Sequence, residues 1–427
     1  MRLIKELYIF RFPPRVVCDT FSVTLSSIER QGDNRPMNRV ETGLERLIGS
    51  PPDWMAKKRI GLLCNSASVD RRFNHSRKLI SEAFPGQLVQ IYSPQHGFFS
   101  EKQDNMIESE DMLDPLLRIP VYSLYGKNRV PEKSMMDLID LLIVDLQDVG
   151  CRVYTFIYTM SYCMEVAREL GKKVLILDRP NPIGGVSVEG NCLNPAFSSF
   201  VGRYPIPMRH GLTIGEIALL FNRHFSIGCD LSVLPMKGWK RRMYFADTGL
   251  PWVLPSPNLP SPNSVMVYPG QVLWEGTNAS EGRGTALPFE VFGAPYIDPY
   301  EILSALGGNS FSGMVLRPLV FEPTSNKWKG ISCCGFQMHV NDQDLFSPFE
   351  ASLKIMQAVM LNCGDRFEWK DPPYEYEYEK LPIDLILGDP QIRRSVEKAE
   401  PIEEIAESWR KDTEEFRRIS RSIYLYS

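Results

Sequence analysis

The chain carries a series of short, unbroken apolar runs separated by stretches of helix length. RIGLLCN, LVQIYSP, IPVYSLY, LLIVDLQD and KVLILDRP begin at Arg59, Leu88, Ile119, Leu141 and Lys173 and are rich in Val, Ile and Leu. Runs this short, alternating with amphipathic segments, predict parallel strands covered on both faces by helices. Each run also ends in polar side chains: Asn65, His96, Tyr125, Asp145 with Asp148, and Asp178 with Asn181. In open parallel sheets the ligand crevice lies beyond the carboxyl ends of the strands, so these residues are expected to converge although they are far apart along the chain.

Other patterns fill in the remainder. Residues 1 to about 36 show no period and end in the polar stretch ERQGDNRP, so they are expected to form a poorly ordered extension without a part in catalysis, with Met37 as a candidate natural start. Thr213 and Glu216 form a capping box that opens the apolar helix IALLFNRHF. PSPNLPSPNSVMVYPG, followed by LWEGTNASEGRGTALPFEVFGAP, is expected to be a long binding or lid loop. After about Pro295, MVLRPLVFEP and GFQMHVND alternate as strands do, FEASLKIMQAVMLN reads as a helix, and Ile402, Ile405, Trp409 and Phe416 give the charged tail a buried helical face. The expectation is an α/β protein: a Rossmann-like parallel sheet domain over residues 37–290 and a second, smaller C-terminal α/β domain over residues 291–427.

Charge and cysteine usage narrow the function. A formal charge of −4 over 427 residues, without a Lys/Arg block, gives no footprint for nucleic acid. No run reaches transmembrane length, and the N-terminus has charges and prolines where a signal peptide needs an apolar core, so neither membrane attachment nor export is expected and a cytoplasmic location is. Nine cysteines without CxxC pairs read as reduced thiols, and adjacent Cys333 and Cys334 cannot form a zinc knuckle alone. His75, His224 and His339 have no convergent partners, so no metal is expected. The first strand leads into NSASVD with no glycine turn, no GxxxxGK[ST] occurs, and GRGT at residues 282–285 follows a loop, so no nucleotide cofactor is implied.

The polar clusters carry the candidate chemistry. Gln95 and His96 lie in SPQHG; Asp148, Arg152 and Tyr154 lie in QDVGCRVYT, where a carboxylate, a guanidinium and a phenol suit a sugar or an oxocarbenium-like state, the alternative being an Asp148–Arg152 pair that only fixes the turn. Asp178 and Asn181 stand between ligand contact and turn formation. Arg209 and His210, just ahead of the capping box, are not needed by the helix and so are ligand candidates, against a surface ion pair.

Here the residues carry a resemblance. PQHGF, LQDVGCRVYTF, LDRPNPIGG with VEGNCL, FVGRYPIPMRHGLTIGE, LPSPN and EGTNASEGRGTALPFEVFGAP, in this order, resemble the NamZ-type exo-β-N-acetylmuramidases of glycoside hydrolase family 171. The likeness runs from about Val40 to the C-terminus. It implies a hydrolase that releases terminal N-acetylmuramic acid from peptidoglycan fragments in cell-wall turnover, with a small amino-sugar substrate, no cofactor and an active site at the strand ends. One position departs. The family motif resembles PEHG, whose glutamate is the expected acid, whereas this chain has Gln95, which cannot donate that proton. Glu101, Asp104 and Glu108 follow, and Glu101 is expected to have taken the role, beside Asp148 and Tyr154. The resemblance places Gln95, His96, Arg152, Asp178, Asn181, Arg209, His210, Glu281 and Arg283 around the sugar, with Arg209 or Arg283 forking onto the lactyl carboxylate. Glu189 is expected to hold a loop. The alternative is a sugar-binding relative that has fallen silent with the loss of the acid.

Overall fold

A computed structural model describes residues 39–309 and 311–427. The expected N-terminal extension lies outside the described residues. The strands are β1 (Ile60–Cys64), β2 (Leu88–Ser93), β3 (Met112–Leu113), β4 (Pro120–Ser123), β5 (Leu141–Asp145), β6 (Lys173–Leu177), β7 (Glu189–Cys192), β8 (Pro207–Arg209), β9 (Asp230–Leu234), β10 (Val291–Ala294), β11 (Met314–Phe321) and β12 (Cys333–Val340). The five apolar runs become β1, β2, β4, β5 and β6, and β1 and β5 are buried at every residue, as a strand covered on both faces must be. They join one sheet in the order β3-β4-β2-β1-β5-β6-β9, all parallel except β3. This is the doubly wound order, with its reversal between β1 and β5. Helices Gly43–Gly49 and Ser76–Ala83 cover one face, and Phe156–Glu169 and Ile214–Arg223 the other.

Two strands of this sheet are not announced by apolar runs, for one reason. β3 and β9 are its edges, where one side faces solvent; β3 is exposed, and in β9 Asp230 and Ser232 alternate with apolar residues.

The proline-rich stretch is a loop only over residues 255–261. Ser261 caps a helix over Pro262–Gln271 that continues as a 3-10 turn over Val272–Gly276, and both are buried almost throughout. Pro262 sits in the first turn, where its missing N–H has no intrahelical partner to lose, so the proline starts the helix instead of breaking it. The helix packs against Pro348–Cys363 so closely that a Cβ on Gly270 would fall 1.9 Å from the Pro348 carbonyl oxygen. Beyond it, β10, β12 and β11 form an antiparallel sheet, and the tail forms the helix Ile402–Ser420, which buries Ile402, Ile405, Trp409 and Phe416 as its spacing predicts. Asn38–Ser427 is a single compact unit.

Three of the expected sugar contacts have their polar atoms engaged by the protein's own framework. Asp178 is fully buried; its carboxylate accepts hydrogen bonds from Thr213 Oγ1 (2.8 Å), the Gly215 amide (2.8 Å) and the Tyr426 hydroxyl (2.5 Å), so it joins β6, the capping turn and the C-terminus. Asn181 donates to the Leu212 carbonyl at 3.0 Å and accepts from the Ile183 amide at 3.1 Å, closing a turn. Arg152 has no solvent exposure and donates to four backbone carbonyls: Asn191 (2.6 Å), Ile206 (3.1 Å), Ile386 (3.0 Å) and Leu387 (2.7 Å). Two lie in or beside the β7–β8 ribbon and two end the helix Pro382–Leu387, so one guanidinium ties these elements together. Removing a buried donor strands its acceptors. Arg152→Met is therefore expected to cost about 3–5 kcal/mol of unfolding free energy, read as a lowered midpoint in urea; a loss within experimental error would show that the carbonyls have other partners.

Candidate active site

At the carboxyl end of β2 the chain turns sharply, with His96 at φ 75° and Gly97 at φ 81°. A residue with a Cβ costs about 1–2 kcal/mol in this left-handed region, and such a conformation persists where its surroundings fix it. His96 is fixed by its ring: Nδ1 donates to the Lys102 carbonyl at 2.8 Å, which leaves Nε2 as an acceptor. Burial pushes its pKa down to about 4, so the imidazole is neutral near pH 7. Gln95 is held at both ends of its amide. Its oxygen accepts from Thr155 Oγ1 at 2.6 Å, and its nitrogen donates to Glu375 Oε1 at 3.0 Å.

Glu375 comes from a hairpin turn over residues 374–377, where Tyr374 and Glu377 exchange backbone hydrogen bonds of 2.9 Å. Both central residues, Glu375 and Tyr376, have positive φ, 47° and 69°. Such turns normally take Asn and Gly at these positions. The Glu375 side chain is buried, and besides Gln95 it accepts from the Tyr125 hydroxyl at 2.6 Å. Burial raises its pKa to about 7, helped by the neighbouring Glu275 charge and opposed by Tyr125, Gln95 and Arg129.

Glu275, in the turn Val272–Gly276, is also buried but lies in the opposite setting. It is met by Arg283 Nη2 at 2.5 Å, the Tyr374 hydroxyl at 2.6 Å and Asn105 Nδ2 at 2.9 Å. Burial works to raise its pKa, but Arg283 and Tyr374 outweigh it and hold the carboxyl below its usual range. Arg283 turns its Nε to Glu281 at 3.1 Å, and Glu281 in turn pairs with Lys327 at 2.8 Å. Two carboxyl groups in one site are thus driven apart, one toward the neutral acid and the other toward the anion. Gln95, His96, Tyr154, Glu275, Arg283 and Glu375 line a narrow space of about 30 Å³, the room of one water-sized group.

The remaining candidates fall elsewhere. Glu101 is exposed and its carboxylate accepts from the Phe99 amide at 3.1 Å, folded back on its own turn; Asp104 pairs with Asn326 at 3.1 Å and Glu108 is exposed, and none of the three lines the cleft. Tyr154 does line it, its hydroxyl buried and without a partner among the described residues. Asp148 lies close enough to Tyr154 to add to the rise that burial gives the phenol. Its Oδ2 accepts from the Gly150 amide at 2.8 Å and lies 3.3 Å from His210 Nε2, and His210 Nδ1 accepts from the Leu212 amide at 3.2 Å. Asp148 and His210 thus support the wall behind Tyr154. Arg209 is drawn away: it donates to the Ile183 carbonyl at 2.5 Å and lines a separate cavity of about 330 Å³ with Glu189, whose carboxylate takes the Phe349 and Glu350 amides at 2.8 and 3.2 Å. Glu281 reaches the site only through Arg283.

At the sheet's reversal point a second space of about 20 Å³ is lined by Ala67, Gln147 and Arg179. The polar residues that end the strands there are taken up by the framework: Asn65 donates to the Pro255 carbonyl at 2.8 Å, and Asp145 pairs with Arg179 at 2.6 and 2.9 Å. The cleft lies to one side, beyond β2 and β4. Two of its residues, Glu275 and Glu375, escape a sequence reading, as does Arg129 near Glu375, whose guanidinium lies 3.4 Å from the centre of the Tyr376 ring. The available signal is the alternation of acidic and aromatic residues in PPYEYEYE, after two turn-forming prolines.

Comparison with known proteins places this geometry in a family. Residues 60–263 match the family described as "Exo-beta-N-acetylmuramidase NamZ, N-terminal", and residues 266–426 match its C-terminal counterpart. The sequence is 39% identical over 408 residues, 95% of this chain and 96% of the relative, to the peptidoglycan beta-N-acetylmuramidase NamZ of Bacillus subtilis strain 168. Among solved structures, a DUF1343 family protein from Bacteroides fragilis shares 35% identity and a TM-score of 0.82 over 92% of this chain and all (100%) of its own. A second from the same organism gives 30% and 0.69, covering 91% of this chain and 99% of its own. Both halves of the family, in order and along nearly the whole chain, establish that this protein belongs to the NamZ exo-β-N-acetylmuramidases.

Proposed function

We propose that the protein is a glycoside hydrolase that releases terminal β-linked N-acetylmuramic acid from peptidoglycan fragments. The observation that carries this reading is the pair of buried carboxyl groups, Glu375 and Glu275, meeting in one polar cleft with opposite protonation preferences. Cleaving a glycosidic bond requires a proton for the departing oxygen and negative charge against the oxocarbenium-like carbon, and such a pair can supply both. The loss of glutamate at position 95 therefore does not leave the cleft without an acid, which weighs against a silent sugar-binding relative. The relative named for peptidoglycan N-acetylmuramidase activity, 39% identical, supports the substrate class.

The working division is a Rossmann-like catalytic part over residues 37–290 and a smaller C-terminal part over residues 291–427, supported by the separate antiparallel sheet that opens at Val291. The two family segments meet earlier, between residues 263 and 266. No helix among the described residues is long and apolar enough to cross a membrane. We place the protein in the cytoplasm, a reading supported by eight free thiols among the described cysteines.

The muramic sugar carries a lactyl carboxylate, and a cation is needed to recognise it. Each nitrogen of Arg283 is already engaged, by Glu275, Glu281, the Gln103 carbonyl (3.1 Å) and Asn105 (3.4 Å). Arg129 is better suited: it stacks on Tyr376, faces Phe200 at 5.2 Å, and its Nε has no hydrogen-bond partner among the described residues.

The full chain is expected to hydrolyse 4-nitrophenyl β-N-acetylmuramide, followed by nitrophenol absorbance; saturable binding without turnover would reject the hydrolase reading. Arg129→Ala is expected to raise KM about tenfold or more for the muramide, the worth of one charge-assisted contact, and to change KM little for the glucosaminide that lacks the lactyl group. Equal changes on the two sugars would reject Arg129 as the carboxylate's partner.

A further inference from the structure

We propose that Glu375 is the catalytic acid that protonates the glycosidic oxygen and that Gln95, standing where the family motif has glutamate, is the residue that positions it. This rests on the muramidase reading above and names the proton donor within it. Three geometric observations carry it. Glu375 borders the narrow cleft space, with its two oxygens fixed by different elements: Oε1 by Gln95 beyond β2 and Oε2 by Tyr125 beyond β4. The turn that presents it holds two consecutive non-glycine residues in the left-handed region, strain of about 1–3 kcal/mol at each, kept although glycine would relieve it. The third is the loss of alternatives: Gln95 has no acidic proton, the exposed Glu101 carboxylate lies against the Phe99 amide, and Glu275 is consumed by Arg283, Tyr374 and Asn105.

The chemistry balances with water as the only co-reactant. The Glu375 carboxylic acid passes its proton to the glycosidic oxygen as the bond from C1 to that oxygen breaks, and the bonding pair stays on the departing oxygen, which leaves as a hydroxyl group. Positive charge develops at the sugar's C1 and ring oxygen, opposite the Glu275 carboxylate. A water molecule then bonds to C1 through its oxygen and gives a proton to the Glu375 carboxylate, which restores the acid. The groups around Glu375 set its protonation together: Tyr125, Gln95 and Arg129 favour the anion, Glu275 opposes it, and Tyr154, Tyr374 and Tyr376 complete the surroundings. Burial dominates and leaves the carboxyl half-protonated near pH 7. The acid form is present below that value and is lost as pH rises through it, so activity falls on the alkaline side.

The test uses the full chain, two glycosides and two variants, with thermal melts to confirm folding. A methyl β-N-acetylmuramide needs its leaving oxygen protonated, whereas a 2,4-dinitrophenyl β-N-acetylmuramide leaves unaided. Glu375→Gln is expected to lower kcat on the methyl glycoside by about a hundredfold to ten-thousandfold and on the dinitrophenyl glycoside far less. It should also abolish the alkaline fall near pH 7 that the wild type shows. Gln95→Ala removes a donor that favours the Glu375 anion, so the alkaline limb is expected to move to higher pH; a merely structural role for Gln95 would leave the limb in place. Equal losses on both glycosides, or an unchanged alkaline limb in Glu375→Gln, would overturn the assignment and leave the glycosidase reading standing. A wild type that turns over neither glycoside would overturn that reading and the assignment with it.

Discussion

Arg283 is the residue on which the cleft's electrostatics depend. A charge removed from water is tolerated only when it is paired, and this guanidinium stands between Glu275 and Glu281, with Lys327 closing the set. Two anions and two cations cancel, which leaves burial, with the neighbouring Glu275 charge, to raise the Glu375 pKa to about 7 against Tyr125, Gln95 and Arg129. The amide at position 95 fits the same logic. Two facing carboxyl groups at that distance would have to share one proton, whereas a glutamine donates to Glu375 and leaves its titration undivided.

The space at the cleft is too small for a sugar ring, and the segment that carries Asn105, one of its lining residues, is fastened by a few polar contacts. Asn105 reaches Glu275 at 2.9 Å, the Gln103 carbonyl receives Arg283 and Asn258, and Asp104 receives Asn326.

How far this could be read from sequence differs between fold and site. Strands buried on both faces write themselves as continuous apolar runs, so β1, β2, β4, β5 and β6 were legible, while the edge strands β3 and β9 were not. The helix Pro262–Gln271 was hidden because a proline at its first turn looks the same as a proline in a loop. At the site, Gln95, His96, Tyr154 and Arg283 reach the cleft from the positions their motifs suggested. Arg152, Asp178 and Asn181 do not, since a strand end needs buried polar groups to satisfy stray backbone carbonyls and amides, and that demand produces the same residue types as a ligand site. Glu375 was out of reach for a topological reason: its partner Gln95 is 280 residues away, and no local spacing connects them, whereas Glu101, close in sequence, is spent on its own turn.

Glu275, Glu375 and Arg283 all belong to the C-terminal family segment, whereas Gln95, His96, Tyr125 and Tyr154 belong to the N-terminal one. Neither segment alone lines the cleft. On the proposed assignment the two cannot be traded between lineages as independent cassettes, and a replacement on one side, such as glutamine at position 95, is tolerated or rejected according to what the other side presents at position 375.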